Sequence, residues 1–333
     1  MRNLNIQIEV LSFESVGSKV ARNVSFFSSE EYLSYGFDNR PSSIQRYKEA
    51  MDEITRRRML LRNNVKVLKP DRASKRVLRM FHSRKYIDEI KRRSVTGEGY
   101  LDSDTPAFRG MFDVARTVVD ASTEAVRIVL KGEVDRSFNV VSGLHHAMKE
   151  RGSGFCIFND VAIAISYALE KRSVEKTLYV HIDAHHGDGV FYNFYEDERV
   201  WIVDVHQDGK NSVSRDRLRM GNGRRESKGD EKKLFFASIF SDEELMKAMR
   251  ETARIAMKVN PEMIVLQAGA DGIVGDPLAE LRYSVKAHSR FIKEMRDNED
   301  EFCEVRLTIF DGGGYNVENC KNAWVNTLDI LLH

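Results

Sequence analysis

The chain has 333 residues, 52 Lys and Arg against 51 Asp and Glu, a formal net charge of +1 and 42% hydrophobic residues. That balance is ordinary for a soluble globular protein, gives no support to a nucleic-acid or membrane partner, and includes no apolar run near the roughly 18 residues that cross a bilayer. Cys156, Cys303 and Cys320 are odd in number and far apart, which argues against a disulfide framework, and MRNLNIQIEVLSFESVGSK lacks a secretory pattern, so a cytoplasmic location is expected.

Residues 1–21 read as an extension ahead of one domain spanning 22–333. A first strand is expected at Asn23–Phe27 and a helix at Ser43–Arg62, with Ser42 as its N-cap after Pro41. The run Arg56-Arg57-Arg58 reads as a solvated face. Apolar runs rich in β-branched residues predict strands at Phe138–Val141, Thr177–Ile182, Val200–Val205, Met263–Gln267 and Val305–Phe310. Helical periods lie between or beside them at Met111–Lys131, Asp160–Lys171, Asp242–Lys258, Ser284–Asp297 and Glu318–Leu331. Continuous apolar strands alternating with helices imply a three-layer α/β/α fold with a central, mainly parallel sheet.

Polar residues follow these strands in a consistent way. His145 and His146 come after the strand ending at Val141, Asp183, His185 and Asp188 after Ile182, Asp271 after Gln267, and Gly312-Gly313-Gly314-Tyr315 after Phe310, while His206 closes another strand. Open parallel sheets bind ligands at the carboxyl ends of their strands, so these groups are expected at one edge. Asp183 and His185, two apart, point to one side. With Asp271 from another strand end they make a three-ligand set that leaves a position open for water or substrate, as a catalytic zinc requires. The mixed oxygen and nitrogen donors also suit other divalent ions. One imidazole of His145-His146 can take a proton from water and return it to a leaving amine, and Tyr315 can donate to a developing oxyanion.

The stretches SGLHHAMKERGSGFCIFNDVAIAI, YVHIDAHHGDGVFYNFY, VLQAGADGIVGDPLAEL and DGGGYNVENCKNAW resemble the histone deacetylase superfamily, particularly its bacterial and archaeal acetoin-utilisation-type members; FHSRKYIDEIK and LDSDTPAFRGMFDVA add weaker matches. The resemblance runs from about residue 22 to 331. It implies the arginase/deacetylase fold and zinc-dependent removal of an acetyl group from an amine such as acetyl-lysine, an acetylpolyamine or a small metabolite. By position, it makes Asp183, His185 and Asp271 the metal ligands, His145 and His146 the dyad with His146 the general base and acid, and Asp188 the carboxylate orienting it. Tyr315 would polarise the acetyl carbonyl, Phe155 after Gly154 would line the acyl tunnel, and Asp104 would grip the substrate backbone. His206 is grouped with the substrate-binding residues.

Three positions and one segment depart from that family's pattern. His181 stands where relatives carry an acid that pairs with the first histidine of the dyad. Asp204 stands where many relatives have a hydroxyl that, with that acid, helps bind a monovalent cation. The expectation is a buried His181–Asp204 pair in place of the cation, against a neutral histidine bonded to a carbonyl. Ser43 occupies the position of the usual arginine at the tunnel floor. The segment Gln207–Lys233 is polar and doubly charged, a solvated loop or a substrate-selecting rim. Two rival functions remain: a ureohydrolase, because IDAH also resembles the arginase motif, although Gly272 and Ile273 after Asp271 offer no ligand to a second metal; and a catalytically weak deacetylase-like binding module.

Overall fold

The computed structural model describes residues 22–36, 43–170, 174–207, 233–237, 241–303 and 306–333. Strand β1 (Val24–Phe27) is followed by helix α1 (Ser43–Arg56), the short strand β2 (Val65–Leu68), helices α2 (Lys75–Leu78), α3 (Arg84–Thr96) and α4 (Met111–Leu130), and strand β3 (Arg136–Asn139). Helix α5 (Asp160–Glu170), strand β4 (Thr177–Ile182), the single turn α6 (Asp188–Phe191) and strands β5 (Val200–His206) and β6 (Lys233–Ala237) come next. Helix α7 (Asp242–Val259), strand β7 (Met263–Gln267), helices α8 (Val285–Asp297) and α9 (Glu299–Cys303), strand β8 (Leu307–Phe310) and helix α10 (Val317–Leu332) complete the described chain.

The strands form one eight-stranded sheet in the order β2-β1-β3-β8-β7-β4-β5-β6. Every neighbouring pair is parallel. Every residue of β4 and β7 is buried, as a sheet covered on both faces requires. On one side α4 packs with α3 and α5; on the other α1, α10, α8 and α7 pack in succession. Side chains of Ser241, Ser284 and Asn316 accept from backbone amides at the starts of α7, α8 and α10, each stabilising its helix by about 1 kcal/mol. No helix among the described residues is long and apolar enough to cross a membrane.

The three-layer parallel architecture expected from the sequence is therefore present, with local shifts. The helix starting at Ser43 stops at Arg56, because Arg58 adopts a left-handed backbone (φ 53°) that an α-helix cannot continue through. Arg56 and Arg57 are solvated and lie beside Glu53. Strand β3 begins two residues before the expected Phe138, because the strand buries a charge: Arg136 Nε donates to Glu299 Oε1 at 2.7 Å and its Nη1 to Leu331 O at 2.7 Å. Strands β2 and β6 are additional; β2 is a half-exposed edge strand of four residues, Val-Lys-Val-Leu, too short to show a period. The proposed Ser42 cap, residues 1–21 and most of the 207–233 segment lie outside the described residues.

Strands β3, β8, β7 and β4 are consecutive in the sheet. The segments leaving their carboxyl ends are thus brought side by side, and these segments carry His145, Tyr315, Asp271 and Asp183.

Candidate active site

Asp183 and His185 leave the end of β4 with both side chains on one side. The His185 amide donates to Asp183 Oδ1 at 2.9 Å, and the Gly313 amide to Asp183 Oδ2 at 2.6 Å. Asp271, beyond β7, is tied to the same corner by the Ala184 amide on Oδ1 (2.8 Å) and faces His185 Nδ1 through Oδ2 (2.7 Å). One donor atom from each of these three residues falls within 4.8 Å of the others, and all three residues are buried. Burial, then the nearby Asp183, raise the Asp271 carboxyl to about 6; Asp183 is held well below the usual carboxylate range despite burial, by His145 and His185. Two carboxylates and an imidazole packed out of water in this way suit a divalent cation, which would offset their mutual repulsion. Gly313 leaves them room: a Cβ there would stand 2.1 Å from Asp271 Oδ2.

The loop after β3 delivers the two adjacent histidines. Asp160, at the start of α5, pins it by accepting from the amides of Leu144 (2.7 Å) and Gly143 (3.2 Å), and Asn159 Nδ2 donates to the carbonyls of His145 (3.0 Å) and Ala147 (2.9 Å). His145 Nε2 and His146 Nε2 lie 3.0 Å apart, and His146 Nδ1 meets Asp188 Oδ1 at 2.7 Å. Burial first, and then the neighbouring His146, keep His145 well below an ordinary histidine. Gly154 has φ +54°, and a Cβ on it would fall 2.4 Å from the His146 ring, so the glycine permits this ring position.

A cavity of about 90 Å³ opens onto these groups, lined among others by Phe155, Tyr315, Leu278 and Arg46. Phe155 takes a left-handed backbone (φ 64°) and is held by Tyr35 Oη on its carbonyl (3.0 Å) and by its amide on Thr105 Oγ1 (2.9 Å). Its ring meets that of Tyr315 edge-on, with centroids 6.2 Å apart. The Tyr315 amide donates to Asp276 Oδ2 at 2.7 Å, and burial, with Asp271 and Asp183 nearby, pushes the phenol well above its ordinary range, keeping it protonated. Asp104 is not among the cavity-lining residues; Thr105 Oγ1 donates to its Oδ1 at 2.8 Å and so connects it to the Phe155 wall.

An arginine reaches the cavity from another position than 43. Arg46, three residues and nearly one helical turn beyond Ser43, reaches the carbonyls of Gly312 (3.2 Å) and Gly314 (3.0 Å) and the Asp311 carboxylate (3.3 Å). Burial raises the Asp311 carboxyl to about 8, although Arg46 and the Trp324 indole oppose that rise. The sequence pattern placed a cation only at position 43 and overlooked the next turn of α1.

Beneath the metal-type group, His181 Nδ1 meets Asp204 Oδ1 at 2.7 Å, both residues fully buried. The pair belongs to a larger hub. His206 Nδ1 reaches the same oxygen at 3.0 Å, while His186 Nδ1 (2.5 Å) and the Gly187 amide (3.1 Å) reach Oδ2. His206 was expected beside the substrate; it instead faces Asp204 and is not among the cavity-lining residues, because alternation along β5 puts it on the same side as Asp204. His186 closes the hub through its Nδ1. Asp204, His186 and His206 also group as possible ligands, yet each carboxylate oxygen already accepts two donors.

A parallel sheet covered on both faces, with two carboxylates and several imidazoles gathered at its carboxyl edge, defines the class: an arginase/deacetylase-type fold. The solved HDA15 HD domain superposes with a TM-score of 0.82 at 20% identity, covering 93% of this chain and 88% of that one. A histone deacetylase domain model matches residues 40–331. The chain belongs to the histone deacetylase family. Acetoin utilization protein AcuC of Bacillus subtilis (strain 168) is 30% identical over 269 residues, 75% of this chain and 67% of that protein. Histone deacetylase 6 of Arabidopsis thaliana is 31% identical over 284 residues, 79% of this chain but only 57% of the plant protein.

Proposed function

We propose that residues 22–333 form one catalytic domain, a metal-dependent hydrolase that removes an acetyl or other short acyl group from an amine. The observation that carries this reading is the convergence of Asp183, His185 and Asp271 at a cavity that also presents His146, backed by Asp188, and Tyr315. Relatives named histone deacetylases support the same chemistry. Asp183, His185 and Asp271 would hold one divalent ion, zinc by the family resemblance although the donor set also suits other divalent ions, and when bound it acidifies water and polarises a carbonyl.

This chain's residues carry the remaining steps. The cavity holds the acyl group against Phe155 and Tyr315, with Arg46 beneath it. His146 Nε2 takes a proton as the water oxygen bonds to the acyl carbon, and Asp188 on Nδ1 holds the ring in place and favours the imidazolium that forms. The Tyr315 hydroxyl donates to the carbonyl oxygen as that oxygen gains charge. When the carbon–nitrogen bond breaks, His146 returns its proton to the amine nitrogen; the products are the free amine and the carboxylic acid. Asp104, joined through Thr105 to the Phe155 wall, would meet the rest of the substrate at the rim.

The His181–Asp204 contact favours a further reading, that this pair and its two histidine partners stand in place of a monovalent cation. Turnover unchanged when sodium and potassium are replaced by choline would agree with that reading, and a strict potassium requirement would contradict it. Incubating the metal-loaded chain with an acetyl-lysine peptide, an acetylpolyamine and short acyl amides tests the function itself. Release of amine and acid from at least one is expected; a fully metal-loaded chain that turns over none would instead be a binding module.

A further inference from the structure

Gln267 ends β7 fully buried, and three groups fix its amide. Oε1 accepts from Tyr179 Oη at 2.7 Å, while Nε2 faces Gly143 O at 3.1 Å and His145 Nδ1 at 2.5 Å. A carbonyl oxygen can only accept, so Gly143 determines which end of the amide is the nitrogen; the reverse orientation would set two oxygens against each other. One N–H of Nε2 goes to Gly143 and the other points at His145 Nδ1, which must therefore present a lone pair. A neutral imidazole carries one proton. That of His145 is then on Nε2, facing His146 Nε2 at 3.0 Å, and His146 carries its own on Nδ1, toward Asp188.

We infer that Gln267 is a positioning residue that holds His145 as the neutral Nε2–H tautomer, so that His145 acts in the site as a hydrogen-bond donor. Its N–H fills the His146 Nε2 lone pair in the resting site and passes to the incoming water before His146, the proton acceptor of the two, takes that water's proton. This deepens the hydrolase reading and rests on it for its catalytic part. The departure at position 181 makes it possible. A carboxylate there could accept from His145 Nδ1 and favour the opposite tautomer, whereas the His181 ring stands edge-on to His145, with centroids 4.8 Å apart, and gives its Nδ1 to Asp204. Among the described residues, no other hydrogen bond reaches His145 Nδ1. Tyr179 has a matching role at one remove: its hydroxyl, donating to Oε1, keeps the amide nitrogen turned toward the histidine.

The tautomer can be read directly by nitrogen NMR of the full metal-loaded chain with ¹⁵N-labelled histidine, the His145 signals being identified by their loss in His145→Asn. The expected spectrum gives His145 a pyridine-type Nδ1 and a pyrrole-type Nε2. In Gln267→Met, which keeps the volume and removes both donors, the Nδ1 signal moves toward the pyrrole type, and kcat falls about tenfold or more with KM within about twofold. A wild-type spectrum with protonated Nδ1 overturns the inference, as does a Gln267→Met protein with unchanged spectrum and unchanged kcat. If Gln267→Met does not fold, the wild-type spectrum still decides. If no acyl amide is turned over, the hydrolase reading fails while the spectrum separately decides the tautomer.

Discussion

Replacing Asp204 with Asn probes the buried hub with almost no change of shape. The carboxylate accepts four donors, from His181, His206, His186 and the Gly187 amide, two on each oxygen. An amide offers acceptor capacity on one atom only, so whichever way it turns, two buried N–H groups meet another N–H. Leaving two donors unpaired costs about 2–6 kcal/mol, and breaking a buried charged pair by removing one partner costs about 3–5 kcal/mol. The two figures describe the same loss, so Asp204→Asn should destabilise by about 3–5 kcal/mol, a large share of the roughly 5–15 kcal/mol that holds a folded protein together. At about 1.4 °C per kcal/mol for a chain of this size, Tm should fall by roughly 4–7 °C. Urea unfolding and calorimetry at one metal concentration measure the effect. His181→Asn combined with Asp204→Asn should cost clearly less than the sum of the single changes, because both remove the same contact. A loss under about 1 kcal/mol, or strict additivity, would refute the hub as a coupled unit.

Two other changes test separate parts of the structure. Tyr315→Phe removes a single hydroxyl at the cavity and should lower kcat about 10²–10³-fold with little change in Tm; kinetics on whichever acyl amide is turned over would show it. His82 accepts the Asn159 amide on Nε2 (2.9 Å), and burial pushes it down to about 3 although the Lys149 and Met148 carbonyls oppose this. Its folded value lies below the unfolded value of about 6.5, so the unfolded chain binds the extra proton and stability falls as pH drops from about 6.5 toward 3. At pH 5 the loss amounts to about 2 kcal/mol. Unfolding free energies at pH 7.5 and 5 should therefore differ less in His82→Gln than in the wild type, and equal differences would contradict the assignment.

Much of this arrangement was legible in the sequence because its signals are local. The runs Thr177–Ile182 and Met263–Gln267 are fully buried strands and fold over those residues as expected. Period two along β4 puts Asp183 and His185 on one side, and the complementary changes at 181 and 204 implied their contact. What was hidden depends on tertiary neighbours. Arg136 broke the apolar signature of β3 because its partner Glu299 lies 163 positions away. Arg46 could not be assigned to the cavity before the pitch of α1 and the Gly312–Gly314 turn were known. Gln267 reads as the polar end of a strand until Gly143, from a different strand end, fixes its amide. His206 stands away from the cavity for a simpler reason: alternation along β5 puts it on the side of Asp204.

The metal-dependent hydrolysis at the centre of this account is tested most directly by titration. The chain is freed of metal with a chelator, and the rate of amine release from its best acyl amide is followed as a divalent ion is added back. One group of Asp183, His185 and Asp271 predicts a rate that rises to one equivalent per chain and then stays level, with no rise in Asp271→Asn. A rate independent of added metal, or one that needs two equivalents, would contradict it.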